Sequence, residues 1–272
     1  MGQLKVVIFC GGFGVRMGEE TQRIPKPMAR IGNRPILWHI MRYYADWGHR
    51  EFILCLGYKG DSIKEYFLTH NEALTSDFVL EGRGAEARVE LLEKDPVDWR
   101  ITFADTGLRL KIGERLKAVE RFIGDDEVFL ATYGDGLTDV RLPRMMDAFY
   151  ERDKMAMFLS VKPQFNAHVV ESGPDGTVTN VEHLSAAGVR INGGFFVFKR
   201  EILDWIEPGD ELVEETFARL IPKGEVTAYL YDGFFMPMDT MKDRQNLEAL
   251  HESGSAPWIG TNTVPAAEPI AP

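Results

Sequence analysis

Cysteine is scarce in this chain, with only Cys10 and Cys55 among 272 residues, each inside an apolar run. A disulfide framework is therefore not expected, and two buried thiols fit a reducing cytoplasm. Long apolar stretches are missing too: nothing approaches the roughly 20 residues that a membrane helix needs. The first residues offer a single Lys5, a short apolar run and then glycines, which does not make a signal peptide. A cytoplasmic location is expected. Bases are outnumbered, 31 Lys and Arg against 42 Asp and Glu, for a net charge of −11. Such a balance argues against nonspecific nucleic-acid binding but leaves room for a small anion met by a few local cations. His39, His49, His70, His168 and His251 show no metal-ligand spacing, so zinc is not expected. No Ser/His/Asp triad is visible.

What is present is an ordinary globular composition, 44 % hydrophobic and 27 % charged, in a chain long enough for one large core. Short apolar runs alternate with helical patterns through the first half. Leu4–Cys10, Glu51–Leu56, Arg100–Ala104, Glu127–Thr132 and Ala156–Val161 read as strands. Helices are expected over Pro35–Trp47, stopped by Gly48, over Ser62–Phe67 capped by Asp61, and over Glu114–Phe122 and Arg141–Arg152. Strands separated by helices imply βαβ units and a mainly parallel, helix-covered sheet. After about Lys162 the rhythm becomes β-rich, with Val169–Glu171, Val178–Val181, Gly194–Phe198 and Val226–Tyr231 strand-like. Leu212–Leu220 and Asp239–His251 read as helices, and residues 259–272, Pro- and Ala-rich over Pro265–Pro272, as a flexible tail. Trp38, Tyr43, Tyr44 and Trp47 read as core or subunit-contact residues rather than a stacking platform for a base.

The chemistry concentrates at three places. Gly11, Gly12 and Gly14 follow the first strand and let the backbone turn sharply and approach a phosphate, with Arg16 and Lys26 supplying charge. The loop lacks the Gly-Lys-Ser/Thr of a Walker motif, and Met17 stands where a dinucleotide fingerprint needs glycine. Two aspartates then end apolar strands: Asp135 in TYGDG and Asp239 in MDT. Mg2+ on a nucleotide takes one or two carboxylates, which this pair would supply if the fold unites them. Asp135 also reads as a turn residue, and Asp239 as the N-cap of the following helix.

In order, GGFGVRM…PKPM, GNRPILWHIMRYYADWG, GYKGDSIKEYF, TYGDG, INGGFFVF and MDT resemble the sugar-1-phosphate nucleotidyltransferases over residues 4–258. The resemblance implies a Rossmann-like nucleotidyltransferase fold, a mainly parallel mixed sheet flanked by helices with a β-rich C-terminal elaboration. It implies a single domain over 1–258, with a nucleotide-binding part to about 162 and a sugar-binding part from 163. The implied reaction moves a nucleotidyl group from an NTP, CTP foremost, to a sugar 1-phosphate, glucose 1-phosphate foremost, releasing pyrophosphate. Lys26 and Arg16 would be catalytic, and Gly11, Gly12, Phe13, Gly14, Val15, Arg115 and Gly134 would line the nucleotide. Tyr133, His183, Arg190, Asn192 and Gly193 would meet the sugar phosphate, while Asp135 and Asp239 would bind Mg2+. Small-molecule substrates, no nucleic acid, no membrane and a homo-oligomer complete the expectation.

Three segments depart from the family pattern. Val15 replaces a threonine, keeping the backbone N–H. DTGLRLKIGER replaces a Ser/Thr/Gly-rich base-contacting segment, which leaves UTP, dTTP or GTP as alternative donors. His183 stands where a lysine pairs with the sugar phosphate; either Arg190 compensates or the acceptor is an unusual sugar phosphate rather than glucose 1-phosphate. A catalytically silent regulatory homologue is the competing reading of another class; retention of Lys26, Asp135 and Asp239 together argues against it.

Overall fold

The computed structural model describes residues 2–12, 24–84, 87–92, 98–163, 167–184 and 186–260. Phe13, Gly14, Val15 and Arg16 of the expected nucleotide loop lie outside the described residues. The central sheet is built from β1 (Lys5–Phe9), β2 (Glu51–Leu56), β3 (Arg100–Asp105) and β4 (Val128–Tyr133), all parallel in the order β3-β2-β1-β4. Two short strands belong to the site: β5 (Gly136–Thr138) and β10 (Phe235–Pro237). Beyond β4 the main sheet continues through β8 (Phe196–Lys199), antiparallel to both β4 and β6 (Ala156–Val161). β9 (Val226–Tyr231) then pairs parallel with β6, while β7 (Ile191–Asn192) pairs antiparallel with its last two residues. The sheet is mixed but mainly parallel, as expected.

Both faces of the sheet are covered, which is why its strands read as unbroken apolar runs rather than alternating ones. Side chains on successive residues point to opposite faces. Val6, Ile8, Leu54 and Leu56 pack under α1 (Ile36–Asp46) and α4 (Leu142–Arg152), with Tyr43, Tyr44, Met145 and Phe149 fully enclosed. Val7, Phe9, Ile53 and Cys55 face the other layer, under Leu116 of α3 (Ile112–Ala118) and Phe217. Truncating Ile8, Leu54, Met145 or Phe149 to alanine costs about 2–5 kcal/mol, because a close-packed interior refills poorly.

Most element boundaries fall within two residues of the sequence reading, and the exceptions have local causes. Pro35 stands at the N-cap of α1, one position outside the helix, and Gly48 ends it with φ +89°. Asp61 is not the cap of α2 (Gly60–Thr69): Lys59 takes that place with φ 53°, and Asp61 lies in the first turn, where a carboxylate meets the positive helix end. The expected helix over 114–122 is two pieces, α3 and a single turn Glu120–Ile123, broken at Val119. Among the described residues two longer hairpins stand outside the main sheet, besides the two-residue pairing of Arg30–Ile31 with Arg34–Pro35. His168–Ser172 pairs with Val178–His183 in the β-rich part, and Phe78–Glu81 with Arg88–Leu91 in a stretch not read as strands.

Candidate active site

β1 and β4 are parallel neighbours, so Gly11 and Asp135, just beyond their carboxyl ends, share one edge of the sheet. Open α/β sheets bind ligands at that edge. Gly134 closes the gap between the two loops by donating its N–H to the Phe9 carbonyl at 3.1 Å. A Cβ at this position would lie 3.0 Å from that carbonyl and 3.1 Å from Cγ of Pro27, so a side chain here would push the two loops apart by a few tenths of an ångström.

Pro27 is the buried centre of the short turn Lys26–Met28, and Pro25 precedes it. The turn aims the Lys26 ammonium between two carboxylates, 2.6 Å from Oδ2 of Asp135 and 2.6 Å from Oδ1 of Asp239. Burial alone would lower the lysine pKa, but the charges and hydrogen bonds of Asp135 and Asp239 outweigh it and raise the value. Lys26 therefore stays cationic at neutral pH. The lysine side chain is 13 % exposed and that of Asp239 40 %, so the group opens to solvent on the Asp239 side.

The aspartates come together through the antiparallel ladder of β5 and β10, in register Gly136↔Pro237, Leu137↔Met236 and Thr138↔Phe235. Met238 extends it, donating its N–H to the Asp135 carbonyl at 2.8 Å. Asp239 follows directly and leads into α5 (Met241–Glu252). The N-cap is Thr240, not Asp239, whose side chain is thereby left for the site. Asp243 completes a capping box and also accepts from the Asp239 N–H at 3.1 Å, fixing that residue's backbone. The Thr-x-x-Asp spacing of 240–243 was a legible signal for this cap. At the far end of the ladder Asp139 accepts from the Phe234 N–H and the Tyr231 hydroxyl, which no motif foretold.

Two carboxylates with an ammonium as stand-in cation are a suitable oxygen donor set for a divalent ion that completes its shell with phosphate oxygens and water. Among the described residues no group of three or more His, Cys, Asp or Glu gathers into a metal cage.

Gly11 is held from beneath by Arg115, which is 3 % exposed. Its Nη2 donates to the carbonyls of Gly11 at 3.3 Å and Leu108 at 3.5 Å, and its Nη1 to the Leu56 carbonyl at 3.2 Å and the Thr106 hydroxyl at 2.6 Å. A Cβ on Gly11 would fall 2.2 Å from Nη1. Arg115, expected beside the base, is thus committed to protein oxygens under the loop, with Gly57 wedged against Gly11.

Of the expected sugar-phosphate residues, three are gathered. Asn192 donates to the Tyr133 hydroxyl at 3.4 Å and accepts from the Gly194 N–H at 2.9 Å, while Gly193 donates to the Leu159 carbonyl. Burial pushes the Tyr133 phenol up to about 12, so it is a neutral hydrogen-bonding group at pH 7. The other two are placed differently. His183 ends the exposed hairpin, its ring 5.5 Å from that of His168. Arg190 pairs with Asp232 and donates to the carbonyls of Ser160 and Tyr231, tying its loop to β6 and β9.

A helix-covered sheet with glycines, a half-buried lysine and paired aspartates at its carboxyl edge is the arrangement at which open α/β sheets bind ligands. The sequence profile described as nucleotidyl transferase matches residues 5–234. The chain is 40% identical over 258 residues to glucose-1-phosphate cytidylyltransferase of Salmonella typhi, covering 94% of this chain and 98% of that one. It is 38% identical over 262 residues to a probable glucose-1-phosphate cytidylyltransferase of Bacillus subtilis, covering 94% and 99%. In fold it matches HddC of Yersinia pseudotuberculosis complexed with GMP-PN, at TM-score 0.66 and 20% identity over 92% of this chain and 100% of that one. The chain belongs to the nucleotidyl transferase family.

Proposed function

We propose that this enzyme transfers the cytidylyl group of CTP to glucose 1-phosphate, forming CDP-glucose and pyrophosphate. The observation that carries the reading is Lys26 fixed with Asp135 and Asp239 beside Gly11 and Gly12 at one sheet edge. The likeness to the Salmonella and Bacillus cytidylyltransferases supplies base and sugar.

In this reading residues up to about 162 hold the nucleotide and residues 163–258 the sugar. Backbone N–H groups of Gly11, Gly12, Phe13, Gly14 and Val15 line the triphosphate, with Arg16 as a fork on its oxygens. A phosphate oxygen of the sugar phosphate attacks the α-phosphorus, and the bond to the bridging oxygen of pyrophosphate breaks. Two polyanions must meet, so neutralisation and alignment matter more than a base, the nucleophile being already ionised. Lys26 would reach the α-phosphate and the incoming phosphate with its ammonium and carry most of that work. Asp135 and Asp239 would hold Mg2+, which when bound supplies further charge neutralisation at the phosphates. Arg115 acts through the Gly11 carbonyl it holds. Tyr133, Asn192 and Gly193 shape the sugar pocket, with His183 and Arg190 at its outer side. A cytoplasmic homo-oligomer is the expected working form.

Pyrophosphate release by the purified protein with glucose 1-phosphate and Mg2+, tested in turn with CTP, UTP, dTTP, GTP and ATP, decides the donor. Release with CTP foremost supports the reading. A preference for another nucleotide overturns the base assignment and points to residues 105–115, and no release with any donor overturns the activity on glucose 1-phosphate.

A further inference from the structure

The Lys26 ammonium occupies the space between the two carboxylates that the preceding reading gives to a divalent cation. We propose that the two compete for these oxygens, so that cation binding expels the ammonium and transfers it to the phosphates of the nucleotide. The inference rests on the reading of Asp135 and Asp239 as metal ligands.

The geometry leaves little alternative. Nζ lies 2.6 Å from an oxygen of each aspartate. A Mg2+ ion on either of these oxygens, at its usual bond length of about 2.0–2.1 Å, would lie within about 5 Å of Nζ and compete with it for the same lone pairs. Two cations so close repel strongly in a half-buried site, and one must leave. The backbones of the two aspartates are fixed. Met238 locks the Asp135 backbone through its carbonyl at 2.8 Å, and Asp243 holds the Asp239 N–H at 3.1 Å. The lysine backbone is no freer, set between Pro25 and a buried Pro27 that packs on Gly134. What can move is the four-carbon stem of Lys26. Its natural destination is the glycine edge, where bound phosphates would replace the two lost ion pairs.

The consequence is a coupled binding order. Without a nucleotide, expulsion strips the ammonium of both anionic partners, and a free divalent cation binds weakly. With a triphosphate present, the ammonium gains new anions as it leaves, and cation and nucleotide reinforce one another. By linkage the coupling is reciprocal. The lysine is then more than a fixed charge: it keeps the metal site closed until the substrate arrives.

Mn2+ titration of nucleotide-free protein, followed by electron paramagnetic resonance, tests this without any turnover. Lys26→Met keeps the stem and deletes the charge, and its Mn2+ affinity is expected to rise about tenfold or more over the wild type. Equal or weaker affinity overturns the proposal. Should that variant fail to fold, the wild type provides the second test. Mn2+ is expected to raise the rate at which acetic anhydride labels Lys26, read by mass spectrometry, because the ammonium loses its ion pairs. An unchanged or slower rate overturns the exchange. Failure of either test in protein that still releases pyrophosphate from CTP removes only the exchange; a wild type without nucleotidyl transfer removes the underlying function.

Discussion

Met238 donates its backbone N–H to the carbonyl of Asp135 at 2.8 Å, and this bond fixes the relative position of two aspartates 104 residues apart in sequence (239 − 135). The β5–β10 ladder beneath it is three residues long on each side, too short to stand alone, and is anchored at its far end by Asp139, Phe234 and Tyr231. The site is thus built on backbone pairing, with side chains added at its upper end.

Lys26→Ala is expected to lower turnover about 10^2–10^3-fold, the usual loss when one fixed charge-stabilising donor is removed. Stability should fall modestly, because the attraction of the two aspartates for the ammonium outweighs its desolvation and its loss leaves them unpaired. Steady-state pyrophosphate release and a thermal melt measure the two quantities. Turnover within a few-fold of wild type contradicts the role given to this residue.

Gly134→Ala introduces a methyl group 3.0 Å from the Phe9 carbonyl and 3.1 Å from Pro27. Overpacking of this kind costs about 1–3 kcal/mol, and here it also pushes Asp135 away from Lys26. Loss of activity should exceed the loss of stability. A variant with wild-type urea midpoint and kcat would show that the close approach is not needed.

Arg115→Met removes the donor to four protein oxygens beneath the glycine loop. Leaving buried acceptors unpaired costs about 1–3 kcal/mol. Because the guanidinium supports Gly11, KM for the nucleotide should rise more than kcat falls. A specific loss of kcat with KM unchanged would assign Arg115 to the transition state instead.

His39 makes stability depend on pH. Burial lowers its pKa from 6.5 to about 4, and its neutral form is specified by its partners. Nε2–H donates to the Ile31 carbonyl at 3.0 Å, while Nδ1 accepts from the Trp258 indole at 3.3 Å. The folded value lies below the unfolded one, so the unfolded chain takes up the proton first. The stabilisation is complete above about pH 6.5 and is lost as pH falls toward 4, to a limit of about 3 kcal/mol. His49, also lowered to about 4 by burial, adds in the same direction. Urea midpoints between pH 4.5 and 7.5 should fall steadily below 6.5; a flat profile contradicts the burial argument.

Much of this fold was legible because its central strands are apolar on both faces. Glu51–Leu56 and Ala156–Val161 stand where the residues place them, as does the edge strand Val226–Tyr231. The glycine edge, Lys26 and the aspartates were readable as residue types at strand ends. Their union was not, because β5 and β10 are too short to carry a periodic signal. The break at Val119 was hidden, since no Gly or Pro marks it. The hairpin of Phe78–Glu81 and Arg88–Leu91 was missed because its strands are largely exposed, with no core face to impose alternation. Arg190 was read as a phosphate cation because its charge is visible in sequence, whereas its partner Asp232 is found only through the fold.

The central claim is transfer rather than hydrolysis, and 31P NMR of the purified protein with CTP, glucose 1-phosphate and Mg2+ addresses it most directly. The account predicts two coupled resonances of a sugar-linked diphosphate growing in equal amount with pyrophosphate, while both substrates decline together. Growth of inorganic phosphate, or loss of CTP with glucose 1-phosphate unchanged, would contradict it.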